Sequence, residues 1–286
     1  MAVDDEVLPL ACSTLAYAGL PLSTALEGIA SAGYRHVELA AMPGYCDHLI
    51  DPDESESQTV ARVGDLLRRS GLNPISLSAH IDLVPAPPGH LPGFTAEESL
   101  AMLLSRVRIA GELGARVVNT QGAYPAGPED EAAFLSRIAV VADEAERAGV
   151  LLALEVADGL TDRATSIRSL MPRLRGAPVW INYDTGNLPF YSGLDPVAEY
   201  EAVHEYVVHV HMKDHVGGIG EYDFPALGEG TLDLQGFVEL AIRLGYRGPL
   251  SAEIEFQHPT DRPGFDEITR AARASREAML RYVASA

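Results

Sequence analysis

Residues 207–215 read VVHVHMKDH, which sets His209, His211, Lys213 and His215 at alternate positions. Val207, Val208 and Val210 give the stretch the β-branched character of a strand, where residues two apart share a face. Imidazoles and an ammonium along one side of an apolar strand need acidic partners. The chain offers them at the ends of other apolar runs: VLLALE stops at Glu155, VWINYD at Asp184, and PLSAEIE carries Glu253 and Glu255. Glu155, Asp184, His211 and Glu253 together would make a donor set of three carboxylates and one imidazole. Such a set favours Mn²⁺, Mg²⁺ or Co²⁺ over the ions of thiolate-rich structural sites. Further polar pairs two residues apart are His36 and Glu38, Ser78 and His80, Asn119 and Gln121, and Asn182 with Asp184. None of these spacings is specific alone. Their force depends on a fold that gathers strand ends at one mouth.

The elements that could do this alternate regularly. Short apolar or β-branched runs predict strands near 8–13, 35–40, 74–80, 115–121, 150–156, 178–184, 207–213 and 249–255. Amphipathic stretches between them predict helices near 22–32, 56–70, 96–113, 129–148, 163–174, 195–205, 233–244 and 265–283. Several helices run into Gly just before the next strand, as in RRSGLNPISL, GELGARVVN and ERAGVLLALE. Glycine there takes the left-handed conformation that stops a helix. Eight strand–helix units are the count of a closed (β/α)8 TIM barrel of the α/β class, and 286 residues suit one such domain spanning 1–286. An open doubly wound sheet is the rival, but no GxGxxG follows an early strand. The strand-to-helix connections 81–95, 122–128, 185–194 and 214–232 are long, and in a barrel they rim the face where strands end.

Composition excludes some functions. Forty-one acids against twenty-one Lys and Arg give a net charge of −20, which repels phosphate backbones and argues against a nucleic-acid partner. No run of eighteen apolar residues suggests a membrane span, and the acidic start MAVDDE does not resemble a secretory signal. Cys12 and Cys46 cannot build a disulfide framework, so a cytoplasmic setting is expected.

Six segments in order resemble the xylose isomerase-like TIM barrel superfamily, the sugar phosphate isomerase/epimerase group that includes tagatose and psicose 3-epimerases, hydroxypyruvate isomerase and inosose dehydratase. They are AGYRHVELA, LLALEV, INYDTGN, HVHMKD, LGEGTLDL and GPLSAEIE. The resemblance implies that Glu155, Asp184, His211 and Glu253 ligate a divalent metal, Mn²⁺ first, with Mg²⁺ or Co²⁺ as alternatives. It implies that Glu155 and Glu253 also exchange the substrate proton. The expected activity is isomerisation or epimerisation of a small keto sugar through a metal-stabilised enediolate. A lyase or dehydratase acting on a keto-inositol or 3-keto glycoside is the alternative. Many members carry His where this chain has Asn187, so substrate identity does not transfer.

Glu38, His80, Gln121, Asn187, His209 and Lys213 are the expected substrate-binding groups. Glu255 reads as a solvated rim charge, Trp180 and Tyr183 as packing, and His215 has no assigned role. An endonuclease IV-like phosphodiesterase is disfavoured, because Gln121 and Asn187 stand where two zinc-binding histidines would be and EYDFPALGEG lacks an Asp-x-His pair. A non-catalytic binding barrel would be expected to lose ligands, and all four are present. The expected partner is a small-molecule carbohydrate, with a homo-oligomer as in many relatives.

Overall fold

Among the described residues, eight strands build the barrel: β1 Leu10–Ser13, β2 His36–Met42, β3 Asn73–Ser78, β4 Val117–Gln121, β5 Leu151–Glu155, β6 Val179–Asp184, β7 Val207–Met212 and β8 Leu250–Ala252. The helices between them are α1 Leu22–Ser31, α2 Glu56–Ser70, α3 Ala96–Leu113, α4 Pro128–Ala148, α5 Ala164–Leu170, α6 Pro196–Tyr200, α7 Leu234–Arg243 and α8 Phe265–Ser285. The structure is a computed structural model and describes residues 8–84, 94–125, 127–174, 176–257 and 263–286. The middle of the 81–95 loop therefore lies outside the described residues. Each strand pairs in parallel with its neighbours in chain order, and β1 also pairs with β8, which closes the (β/α)8 barrel. No described helix is long and apolar enough to cross a membrane.

Two-residue alternation decides what goes where. Leu152 and Leu154 of β5, Ile181 and Tyr183 of β6, and Val210 and Met212 of β7 belong to the apolar layer between strands and helices. The intervening positions Glu155, Asn182, Asp184, His209 and His211 are buried polar groups inside the barrel. Tyr183 packs as expected: its ring stacks on Phe237 at 5.6 Å and its hydroxyl donates to Pro196 O. The helices start and stop where local chemistry dictates. Thr95 and Glu98 form a capping box before α3, and Gly114 ends it at φ 82°. Only Gly149 and Val150 separate α4 from β5, which aims Glu155 at the far end of a short, fixed strand.

Three elements differ from the expected bounds. The 163–174 helix is α-helical only to Leu170 and continues as a 3₁₀ turn, because Pro172 has no amide hydrogen for the helical ladder. The 195–205 helix ends at Tyr200, with a 3₁₀ turn at His204–Tyr206. The last strand is cut to Leu250–Ala252. Glu253 N still donates to Met212 O at 3.0 Å, but Glu255 N turns away to Phe224 O at 3.2 Å in the 214–232 loop. The end of β2 also folds back, pairing antiparallel with Cys46–Asp47, so that Tyr45 sits in the tight turn. The buried Arg106 of α3 anchors this spur through Asp47 at 2.7 Å.

Candidate active site

β5, β6, β7 and the chain just past β8 bring Glu155, Asp184, His211 and Glu253 together. Their ligand-capable atoms all lie within 4.8 Å of one another. His211 Nδ1 is 3.6 Å from Glu155 Oε2, 3.7 Å from Asp184 Oδ2 and 3.5 Å from Glu253 Oε2. Register produces this: Asp184 lies opposite His211, which in turn lies opposite Ser251. A register shift between Ile181 and Asn182 accompanies the arrangement, as irregularities near sites often do.

Asp184 shows that the cluster suits a cation. Its Oδ1 accepts from Gly186 N and Asn187 N, both at 2.8 Å. Its Oδ2 is buried without a hydrogen-bond partner among the described residues. A buried carboxylate oxygen without a donor is costly, and three carboxylates with one imidazole nitrogen are the hard donors a divalent ion takes. The residues present fit such an ion.

A second layer holds the imidazole. Glu38, 0% exposed, accepts from His211 Nε2 at 2.9 Å, Ser76 Oγ at 2.8 Å and Asn119 Nδ2 at 3.1 Å. With Nε2–H directed at Glu38, Nδ1 is left to face the cluster, the arrangement that orients metal-ligating histidines. His209 lies deeper, its Nδ1 2.7 Å from Asn182 Oδ1 and its Nε2 3.0 Å from Ser76 Oγ. His209 is expected from the sequence to contact substrate, and Glu38 either to do so or to support the groups that do. Both lie beneath the cavity rather than on its wall, because their side chains sit one layer down the barrel.

The cavity above has a volume of about 280 Å³. Glu155 and Glu253 line it, as do His80, Gln121, Asn187 and Lys213. His80 pairs with Glu155, and Gln121 Nε2 donates to Asp82. Asn187 Nδ2 donates to Glu155 Oε1 at 3.0 Å, while its Oδ1 accepts from Lys213 Nζ at 3.3 Å. Lys213 Nζ also reaches Glu253 Oε2 at 3.0 Å and pairs with Glu255. The DTGN segment is built for this: a Cβ on Gly186 would lie 2.7 Å from Lys213 Cγ, so only glycine lets that side chain pass. A larger groove on the helical exterior is lined by Glu56, Arg108, Glu144 and Arg147, which pair with one another.

Electrostatics separate these groups. Burial alone would lower the His211 pKa, but Glu253, Glu38 and Glu155 outweigh it and raise the value well above the ordinary one. Burial brings His209 down to about 4, so that ring is neutral. Burial opposes ionisation of Glu155, yet His80 and His211 hold it well below the usual carboxylate range. Glu253 is pushed up to about 8, chiefly by burial, with Glu155 and Asp184 adding to the rise against His211 and Lys213.

Glu255 corrects the sequence reading. It is buried rather than a solvated rim charge, ion-paired to Lys213, and accepts from Tyr45 Oη at 2.6 Å and from Tyr222 Oη. Its position two residues after Glu253 was the available signal, since the pair shares a side. Tyr45 and Tyr222 come from loops without periodicity and gave none. His215 is a loop-packing residue, its Nε2 2.8 Å from Glu221 O.

No curated protein matches the chain in sequence. Among solved structures, a xylose isomerase domain protein from Planctomyces limnophilus is similar at TM-score 0.77 and 16% identity, over 98% of this chain and 100% of that one. D-allulose 3-epimerase from Methylomonas sp. is similar at TM-score 0.74 and 18% identity, over 99% and 100% of the two chains. A xylose isomerase-like TIM barrel protein from Mycobacterium smegmatis, solved in complex with magnesium, gives 0.74 and 19%, over 97% of each. At these identities the likeness shows the fold. The sequence profile described as xylose isomerase-like TIM barrel matches residues 26–281. With that match laid over a closed parallel barrel, the chain belongs to the xylose isomerase-like TIM barrel family.

Proposed function

We propose that the protein is a divalent-metal-dependent isomerase or epimerase of a small keto sugar or related polyhydroxy carbonyl compound, working in the cytoplasm with Mn²⁺. One observation carries the reading: Glu155 and Glu253 belong to the four-donor cluster and also line the cavity, whereas Asp184 and His211 lie behind it. Two carboxylates are thereby presented to a bound molecule at the place where a cation would sit. The bound ion would supply Lewis acidity toward the substrate carbonyl. Glu155 and Glu253 then do the proton work: one removes the hydrogen next to the carbonyl, and the other or the same returns it. Asn187 and His80 hold Glu155, and Lys213 holds Glu253, so each base is fixed before substrate enters. Structural neighbours named D-allulose 3-epimerase and L-ribulose 3-epimerase support the reading.

Elimination from a keto-inositol or 3-keto glycoside is the second reading. It draws on Lys213, a donor 3.0 Å from Glu253 that could protonate a departing oxygen. The test is proton exchange in D₂O, followed by NMR, with ketoses, keto-inositols and 3-keto glycosides. Deuterium entering next to the carbonyl, abolished by EDTA and by Glu155→Gln or Glu253→Gln, supports the proposal, and the products separate epimer, isomer and alkene. Metal-loaded protein that exchanges none of these compounds would sink it.

A further inference from the structure

We propose that Lys213, Glu255, Tyr45 and Tyr222 form a second subsite of the cavity, one that reads neighbouring hydroxyl groups on an uncharged polyol segment of the substrate. The proposal rests on the carbohydrate reading above and adds to it which part of the molecule, beyond the reacting carbons, the protein recognises. All four side chains line the cavity. Glu255 joins them: one carboxylate oxygen pairs with Lys213, and the other accepts from both tyrosine hydroxyls, which are 2.9 Å apart. The tyrosine oxygens and the Glu255 carboxylate keep acceptor lone pairs for a ligand, and a tyrosine O–H becomes a donor to it by turning away from Glu255. Vicinal hydroxyls, each a donor and an acceptor, are the complementary pattern, and charged partners strengthen such bonds.

The backbone points the same way. Phe256, directly after Glu255, has φ 62° and is the only non-glycine residue with positive φ among those described. Bulky residues rarely adopt this conformation, and such outliers cluster at functional sites. It is held by a two-way bridge, Phe224 N to Phe256 O and Phe256 N to Phe224 O, both 2.9 Å. The turn takes Glu255 out of the barrel ladder and places its carboxylate beside Tyr222, from the loop that Phe224 belongs to.

The ligand class follows from charge and surface. Lys213 is the only Lys or Arg among the described residues lining the cavity, and its ammonium is shared by Glu253, Glu255 and Asn187. A phosphate or carboxylate would find no free strong cation there and would face three glutamates. Phe190, Tyr222 and Phe224 pack edge to face at 4.9–5.9 Å beside the subsite, giving an apolar wall for a sugar's C–H face.

The experiment compares wild type, Glu255→Gln and Tyr222→Phe, each loaded with Mn²⁺ for exchange or Mg²⁺ for NMR. D₂O exchange is measured on dihydroxyacetone, which ends at the reacting carbons, and on ketohexoses, which extend beyond them. Binding of hexitols and of glycerol, which need no reaction, is measured by ligand-observed NMR. Calorimetric titration with Mn²⁺ and thermal melts report whether cluster and fold survive. The expected result is a fall of about tenfold or more in the ketohexose to dihydroxyacetone exchange ratio and a matching loss of hexitol affinity. Equal losses on short and long ketoses would make Glu255 a support for Glu253 and overturn the subsite, as would hexitol binding that ignores both substitutions. Wild type that exchanges nothing, yet binds hexitols through Glu255, would retain the subsite and refute the isomerase reading. Wild type that neither binds hexitols nor prefers ketohexoses would overturn the subsite.

Discussion

Replacing Glu38 with Gln changes almost no volume, so its effect isolates the charge beneath His211. In the folded protein burial opposes ionisation of Glu38, but His211, His209 and Ser76 lower its pKa from the ordinary 4.5 to about 2. That gap corresponds to about 3 kcal/mol of stability. Because the folded value is depressed, the contribution is present above about 4.5 and disappears as pH falls toward 2. An amide cannot reproduce the contacts. With its oxygen on His211 Nε2–H, its NH₂ must meet the Asn119 amide donor; turned the other way, donor meets donor at His211. The metal-free variant should therefore unfold in less urea than wild type at pH 7, and the difference should close as the pH approaches 2. Mn²⁺ affinity, measured by calorimetry, should fall about 10- to 100-fold through loss of the carboxylate behind a ligating imidazole. An unchanged affinity, or a stability difference that does not depend on pH, would refute the account of Glu38.

His211 in the metal-free protein holds a proton at neutral pH because its pKa is raised. Mn²⁺ binding should release that proton and tighten as pH rises, which calorimetry in buffers of different ionisation heat detects. Asp214→Ala removes the acceptor for the backbone amides of His215, Gly228, Gly230 and Leu232. It should cost at least about 2 kcal/mol and open the 214–232 loop to proteolysis, read by thermal melt and mass spectrometry. Gly111→Ala would place a Cβ 2.6 Å from Ala148 O, forcing α3 and α4 apart. The expected loss is about 1–3 kcal/mol, and a raised Tm would contradict it, since alanine otherwise favours a helix.

Alternation at two scales was legible: eight apolar runs alternating with amphipathic stretches gave the barrel, and alternation of residues within a run separated the face toward the helices from the one toward the interior. It also found every member of the four-donor cluster, since the polar strand ends at Glu155, Asp184 and His211 repeat one pattern. Depth along the barrel axis was not legible. His209 and His211 share a face and a residue type, yet a two-residue step of rise separates a ring buried against Ser76 from one that faces the cluster. The Tyr45–Tyr222–Glu255 contacts were equally hidden. They depend on a backbone turn at Phe256 and on loops whose ends meet only in the folded chain.

Hydrogen-bond partners divide the interior carboxylates more sharply than their sequence context does. Glu38 and Asp184 are both 0% exposed at the end or middle of a parallel strand, and each could serve as a ligand on residue type alone. Glu38 has donors on both oxygens, from His211 on one side and from Ser76 and Asn119 on the other. A cation reaching it would have to displace them. Asp184 spends one oxygen on two backbone amides of its own turn, which fixes the carboxylate plane, and leaves the other without a donor among three potential ligands. Folding tolerates such an atom only where something else supplies the missing positive charge. Lys213 Nζ and His211 Nδ1, each 3.7 Å away, answer the deficit only in part, because Lys213 is held at 3.0 Å by Glu253 and His211 Nδ1 is shared with Glu155 and Glu253. The remaining negative charge marks Asp184 Oδ2, rather than the donor-satisfied Glu38, as the oxygen a cation would take.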